Sequence, residues 1–481
     1  MLVIAGAVAL TGLAGLWDPD LTLDAQSNLV YADQVLSGRV PHRDFFVTYG
    51  PANYYVLAAA FALMEPSVEV QRLVALTYEA ALALGVYACC ARRGRSIALA
   101  AALTTVLYVS FIEVTAYAWF GGLAVTLAAV AILQRPPPAW TGAVSGALIA
   151  MSTFWRAEML IVGLACALPF VVRSRVRFRP FVVGLGVGLV PVALYAGVAG
   201  RQWAVNMFGR AGANAGYASL DPSVIAGGAV LILAVFAMVV LGMRRADPSA
   251  IFVAVYVAVQ LPQLAQRPDV LHLVFVAASS IPLAVAHIVP AGAAGAAGSP
   301  GAEDGEASGA LLAPMSRLWL GGVAAIVLMS GALDAAGTPW REVEQVAVGN
   351  HSVIASKDTA PRMRHTVQAL ERASGGGSVF LGAQDMSKPT LTWAFFYHLM
   401  PARAADGYYL EVPPGLDLTQ QERLASDVEG ASVLLLTEFS DEERARLFPR
   451  LPDLSDVAND AVRRSFCRGE ETPYGTVFVR C

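Results

Sequence analysis

Charge is what this chain has least of. Charged residues make up 15% of its 481 residues and hydrophobic residues 56%, whereas a water-soluble domain carries about a quarter charged residues. The mean hydropathy is +0.56. Together these exclude a wholly soluble chain. The formal net charge is −4 and no long basic stripe occurs, which excludes nucleic acid as a partner. The N-terminal apolar run Leu2–Trp17 has neither a basic flank nor a small-x-small pattern before Asp18, so it reads as a short first span and not as a cleaved signal. Cysteine is scarce as well. Of five cysteines, Cys89, Cys90 and Cys166 fall in or near apolar runs and read as small apolar residues.

What the chain does have is apolar runs long enough to cross a hydrocarbon core of about 30 Å. They fall at residues 2–17, 70–90, 96–111, 119–134, 140–155, 159–172, 181–199, 223–243, 249–265, 271–290 and 318–335, about eleven spans. Arginines cluster at alternate ends: Arg92, Arg93 and Arg95; Arg135; Arg173, Arg175, Arg177 and Arg179; Arg244 and Arg245; Arg317. The excess of basic residues on the inner side makes that side cytoplasmic. The C-terminus then lies outside the cell membrane.

Residues 1–335 are thus expected to form a transmembrane domain. Within it, residues 18–69 are a first outer loop with interfacial helices, because the apolar stretch Tyr54–Met64 is too short to cross upright. The Gly/Ala/Ser segment 291–316 reads as a flexible cytoplasmic linker. Residues 336–481 read as a small extracytoplasmic α/β domain. In it, Val379–Gly382 and Ser432–Leu436 have the unbroken apolar character of buried strands, Leu418–Val428 and Asp441–Leu447 that of helices. Arg464–Cys467 and Thr476–Cys481 are expected strands around Pro473-Tyr474-Gly475. That spacing lets Cys467 and Cys481 pair as a disulfide in an oxidising compartment.

Polar residues that are not orientation signals gather on the outer side: Asp18, Asp20, Asp24, Asp33, His42, Arg43, Asp44, Glu113, Arg156, Glu158, Arg210, Arg267, Asp269 and His272. Charges near span ends are costly unless they pair or face water, so this convergence implies one water-accessible site. A transporter places such groups at mid-depth with repeat symmetry between halves, and no such repeat is visible. The most informative stretch is the first outer loop. Asp24 opens a helix whose Leu29, Ala32, Val35 and Leu36 share one face, expected to lie amphipathically at the membrane surface. Gly38, then Arg39-Val-Pro-His-Arg-Asp-Phe-Phe46, then Gly50-Pro51 with Tyr54 and Tyr55 follow.

This loop resembles that of the GT-C superfamily of membrane glycosyltransferases, particularly actinobacterial members using polyprenyl-phosphate sugars. Asp24 matches the first acidic position, Gly38 the helix-ending glycine, and Arg43-Asp44-Phe45 with Gly50-Pro51 the rest. Ala25 stands where a second acid is common, and His42 where a tyrosine is common. Gln266-Arg-Pro-Asp-Val-Leu-His272 resembles the Arg-x-Asp-x-x-His stretch of such proteins, and Tyr408–Gly415 with Leu424–Asp427 their C-terminal domain.

The fold class implied is a polytopic α-helical, GT-C-like membrane protein with a small outer α/β domain. The implied activity is inverting glycosyl transfer, as a hexosyl- or pentosyltransferase, from a polyprenyl-phosphate-linked sugar donor to an envelope glycan, lipid or protein acceptor. It would take place on the outer face of the cytoplasmic membrane, among membrane lipids. A base must take the acceptor hydroxyl proton, and cations must hold the departing phosphate. Asp24 is the expected base, and Arg267 and Arg156 the expected phosphate contacts. Asp44, Arg43, His42, Glu158, Asp269 and His272 are expected substrate contacts. The resemblance admits a divalent metal, Mg or Mn, without requiring any cofactor. Two other classes stay open: a transporter or flippase of a lipid-linked envelope precursor, and a catalytically inactive GT-C-like scaffold, for which Ala25 is the main support.

Overall fold

The computed structural model describes residues 1–13, 15–135, 138–208, 222–245, 247–266, 269–288, 306–337, 342–388, 392–404, 406–410, 418–438 and 455–481. Helices run from the N-terminus as α1 (Leu2–Gly12), α2 (Leu23–Leu36), α3 (Ala52–Leu63), α4 (Val68–Cys90), α5 (Arg95–Val109), α6 (Ala118–Gln134), α7 (Trp140–Ser152) and α8 (Met159–Val171). They continue as α9 (Arg175–Ala199), α10 (Arg201–Phe208), α11 (Pro222–Arg245), α12 (Pro248–Gln266), α13 (Val270–Ile288) and α14 (Glu306–Gly337). The C-terminal part then runs β1 (Val343–Val348), β2 (His351–Ser356), α15 (Ala360–Ser374), β3 (Val379–Ala383), α16 (Phe395–Leu399), α17 (Leu418–Gly430), β4 (Val433–Thr437), α18 (Val457–Ser465), β5 (Phe466–Thr472) and β6 (Gly475–Arg480).

Each apolar run read from the sequence contains a helix, but length separates them. Among the described residues, five helices are long and apolar enough to cross a membrane: Val68–Arg93, Val176–Ala199, Pro222–Arg244, Pro248–Ala265 and Val270–Ile288. Among the described residues the other apolar helices are shorter, Arg95–Val109, Ala118–Gln134, Trp140–Ser152, Met159–Val171 and Arg317–Ala332 among them. Helix α1 has 11 residues, which rise only about 17 Å. The expected linker at 291–316 also differs, since its last residues, from Glu306, belong to α14. Alanine, leucine and methionine dominate 306–316 and favour a helix, outweighing Gly309 and Pro314.

The contacts divide the chain into two units: residues 1–15, 75–195 and 220–337, and residues 16–74, 196–219 and 338–481. In the first, Ile4 and Val8 of α1 pack with Ala83, Ala102, Val106 and Val327 in one apolar cluster. Helices α7 and α9 approach closely through glycine. A Cβ on Gly184 would overlap the Ala143 carbonyl, and one on Gly146 the Phe181 carbonyl, the small-residue contact by which helices associate in lipid. Apolar side chains face outward along α9 and α11, among them Val183, Val187, Leu194, Leu233 and Phe236. In water such a surface would aggregate; in lipid it is the solvated face.

The second unit joins residues 16–74 to the C-terminal elements. Its four-stranded sheet has the order β3-β4-β6-β5, with β3 and β4 parallel and the other pairs antiparallel. Every residue of β3 and β4 is buried, as unbroken apolar runs in a covered parallel pair should be. The boundary expected at 335/336 falls at 337/338. The expected helix at Asp441–Leu447 lies outside the described residues. Strands β5 and β6 extend the expected hairpin, and a disulfide joins Cys467 to Cys481, with Cα atoms 5.2 Å apart.

That disulfide closes a loop with a sequence separation of 14, which should stabilise the unit by about 2–3 kcal/mol. Cys467→Ser is expected to lower the unfolding midpoint of this unit. Reductant should lower the wild-type midpoint equally and leave the variant unmoved.

Candidate functional site

The segment 16–46 is held by side chains that bond backbone carbonyls. Arg72, near the start of α4, is fully buried and donates to the carbonyls of Leu16, Asp18 and Asp20 at 2.7–3.1 Å. A buried guanidinium needs its donors satisfied, so this cation fixes the segment leading into α2. Thr22 then caps that helix, its hydroxyl accepting from the Ala25 N–H at 3.3 Å. Asp24 therefore does not fill the cap position that would be its ordinary structural use. It sits in the first turn, partly exposed.

Helix α2 is not the half-exposed amphipathic helix expected from sequence. Leu29 and Ala32 are buried, but so are Gln26, Asn28, Asp33 and Gln34, while Leu36 is exposed. The reason is that α3 and α16 both pack against it. Asn53 of α3 donates to Asn28 Oδ1 at 3.0 Å. Helix α2 ends at Leu36, and Gly38 just beyond it, at φ +86°, supplies the left-handed residue that stops a helix. Arg39 then ties the loop together. Its guanidinium reaches Gln34 Oε1 at 2.6 Å and the carbonyls of Asp44 at 2.5 Å and Gly407 at 2.8 Å.

The sequence-predicted contacts in this loop already have local duties. Arg43 and Asp44 form a two-pronged ion pair at 2.7–2.8 Å, and Asp44 also accepts from the Val40 N–H. The Arg43 hydrogen bond is the main cause holding the Asp44 carboxyl below its ordinary value. His42 is fully buried, with φ +66° and Nδ1 3.3 Å from Asn206 Nδ2. Asn206 also donates to the Tyr408 hydroxyl, which donates to the His42 carbonyl at 3.2 Å. The His42 ring is thus shut away from solvent in this conformation.

In the first unit, Arg156 pairs with Glu158 at 2.5 Å and stacks over the Trp119 ring at 4.9 Å. Gln263 Oε1 lies 3.4 Å from the same guanidinium. Trp119 is buried. Asp269 caps α13, accepting from the His272 N–H at 2.8 Å and lying 2.7 Å from His272 Nδ1. The His272 ring is buried against Phe275. Arg267 lies outside the described residues.

A further group was not anticipated. Asp33 of α2 meets His398 of α16 at 2.6 Å and His351 of β2 at 3.3 Å. One donor atom from each of the three lies within 4.8 Å of the others, an arrangement able to hold a metal ion. Burial pushes Asp33 up, but the two imidazoles outweigh it and leave the carboxyl below its ordinary value. At Asp24 the donors do not fit Mg or Mn, which want several oxygen ligands. Ala25, where a second acid would stand, is fully buried and offers none.

Together these elements define a fold already seen among solved structures. Among solved structures, the chain is similar to ArnT from Cupriavidus metallidurans bound to undecaprenyl phosphate. The two share 14% identity with a TM-score of 0.56, covering 99% of this chain and 97% of ArnT. It is likewise similar to the same protein in the apo state, at 13% identity, TM-score 0.53 and the same coverage. No protein-family profile matches the sequence, and no curated protein does.

Burial lowers the His42 pKa from 6.5 to about 3. A histidine kept neutral in the fold makes the unfolded chain the better proton binder, so stability is full above pH 6.5. It is lost as pH falls from 6.5 toward 3, at up to about 1.4 kcal/mol per pH unit. His42→Asn keeps a side chain that tolerates positive φ and removes the titration. Thermal midpoints measured from pH 7.5 to 4.5 should fall more steeply for wild type than for this variant.

Proposed function

We propose that this chain is a membrane glycosyltransferase that moves a sugar from a polyprenyl-phosphate donor to an envelope glycan, lipid or protein acceptor, with inversion, on the outer face of the cytoplasmic membrane. The observation that carries this reading is Asp24. It is a partly exposed carboxylate in the first turn of α2, its capping duty taken by Thr22, within a fold that matches ArnT over nearly the whole chain. That the ArnT structure holds undecaprenyl phosphate supports a lipid-phosphate donor here. The Cys467–Cys481 disulfide supports an oxidising, outer compartment for the C-terminal elements.

In the reaction Asp24 accepts the proton of the acceptor hydroxyl as its oxygen attacks the anomeric carbon. The carbon–oxygen bond to phosphate breaks, and its electron pair leaves on the lipid phosphate. Arg267 and Arg156 are assigned to that phosphate, because guanidinium groups match phosphate oxygens in a planar fork. Arg156 is already desolvated over Trp119 and paired with a carboxylate, and a phosphate could replace Glu158 in that pairing. Asp269 and His272 are assigned to donor recognition. No step passes through a metal.

One observation favours a second reading. Ala25 is fully buried where a second acid is common, and an inactive scaffold would tolerate that loss. Sugar transfer from radiolabelled polyprenyl-phosphate donors in membranes separates the two. Asp24→Asn should lower the rate by about 10²–10⁴-fold with unchanged expression and melting. Wild-type membranes inert toward every donor would establish the scaffold; full activity in Asp24→Asn would remove the carboxylate from the mechanism.

A further inference from the structure

The Asp33 cluster is built from three elements far apart in the chain. Asp33 and His398 are buried and His351 is largely so, with side-chain exposures of 3%, 0% and 13%. Ion-pair geometry alone leaves them incompletely satisfied. Asp33 Oδ1 has only a long contact, 3.3 Å to His351 Nε2, and His398 Nε2 is a buried atom without a hydrogen-bond partner among the described residues. A buried polar atom left so costs roughly 1–3 kcal/mol. One orphaned imidazole nitrogen beside a loosely met carboxylate, in a cluster whose donor atoms converge, points to a ligand that accepts lone pairs.

We propose that Asp33, His351 and His398 bind one zinc-class transition-metal ion, which clips α2 to the β1–β2 hairpin and to α16. Two imidazole nitrogens and one carboxylate oxygen are a borderline-soft set that suits Zn²⁺ and excludes a preference for Mg²⁺ or Ca²⁺. Metal–ligand bonds of about 2.0–2.1 Å put tetrahedral ligands about 3.3 Å apart. The donor atoms, all within 4.8 Å of one another, reach that spacing by side-chain rotation. Three protein ligands leave a fourth position open. A cavity of about 680 Å³ lies beside it, lined by Asp33 and His351 together with Leu36, Phe61, Leu63 and Met64.

The helix geometry says what this ion does. Asp33 follows Asp24 by nine positions on α2, which at 3.6 residues per turn is about two and a half turns. The two carboxylates therefore lie about 13 Å apart along the axis and on opposite faces. An ion at Asp33 does not reach Asp24. It fixes the rotation of α2 about its axis, and with it the direction in which Asp24 is presented. The site is a positioning device, independent of whether the chain transfers sugar.

The test uses the full chain purified in detergent without a polyhistidine tag, stripped with chelator and titrated with Zn²⁺ or Co²⁺. We expect about one equivalent bound by elemental analysis, a raised thermal midpoint, and the visible absorption of a low-coordinate Co²⁺ site. His351→Gln, at the most exposed of the three, should bind at least about tenfold more weakly while the metal-free protein melts as wild type does. Asp33→Asn provides a second variant with the same expectation. Stoichiometric binding of neither ion, with no change in melting, would show a hydrogen-bonded triad only and overturn the proposal. Binding that is equally tight in both variants would place the ion elsewhere and overturn it too.

Discussion

The outer-loop segment that carries Asp24 depends on residues more than 360 positions away. Phe46 donates its N–H to the Tyr408 carbonyl at 2.7 Å, and its ring sits in the core with Tyr408, Tyr409, Leu424 and Leu434. Arg39 bonds the Gly407 carbonyl across a separation of 368 residues. Asp33 meets His398 across 365. A loop of this length closed only by its own hydrogen bonds would keep most of its conformational freedom. Burial of Phe46 and α2 against the C-terminal elements removes it.

This dependence explains how polar the interior of the loop is. Gln26, Asn28, Asp33, Gln34, His42 and Arg72 are all buried, a composition that no lipid-facing or purely apolar core would tolerate without partners. Arg72 finds three carbonyls, Asn28 finds Asn53, and His42 finds Asn206 and sits under Tyr408. Such networks specify one arrangement more sharply than apolar packing does. A site that must hold a carboxylate in a set direction gains from that. The long apolar helices have a different solvent and a different logic: outward valine and leucine, and glycine where α7 and α9 touch.

How much of this was legible follows from the range of each signal. Apolar runs and the buried strands β3 and β4 are local, and both were read close to their observed bounds. The β1–β2 hairpin was missed, although Gly349-Asn350 between two β-branched stretches is a turn signal, with Gly349 at φ +61°. The helix that Asp24 opens was legible, but the long-range contacts that hold it were not. Arg43-Asp44 is a neighbouring pair on paper and in space. The meeting of Asp33 with His351 and His398 leaves no trace at the spacing of any motif. His398 stands alone in the apolar Phe395–Leu399 stretch, where a lone histidine reads as core.

The central claim is that the first outer loop and the C-terminal sheet fold as one cooperative unit that presents Asp24. Amide hydrogen exchange on the full chain in detergent, followed by mass spectrometry, tests it directly. Peptides covering residues 23–46 should be protected to the same degree as those covering β3 and β4, and Arg39→Ala should weaken both together. Fast exchange across 23–46 beside a fully protected sheet would contradict the account.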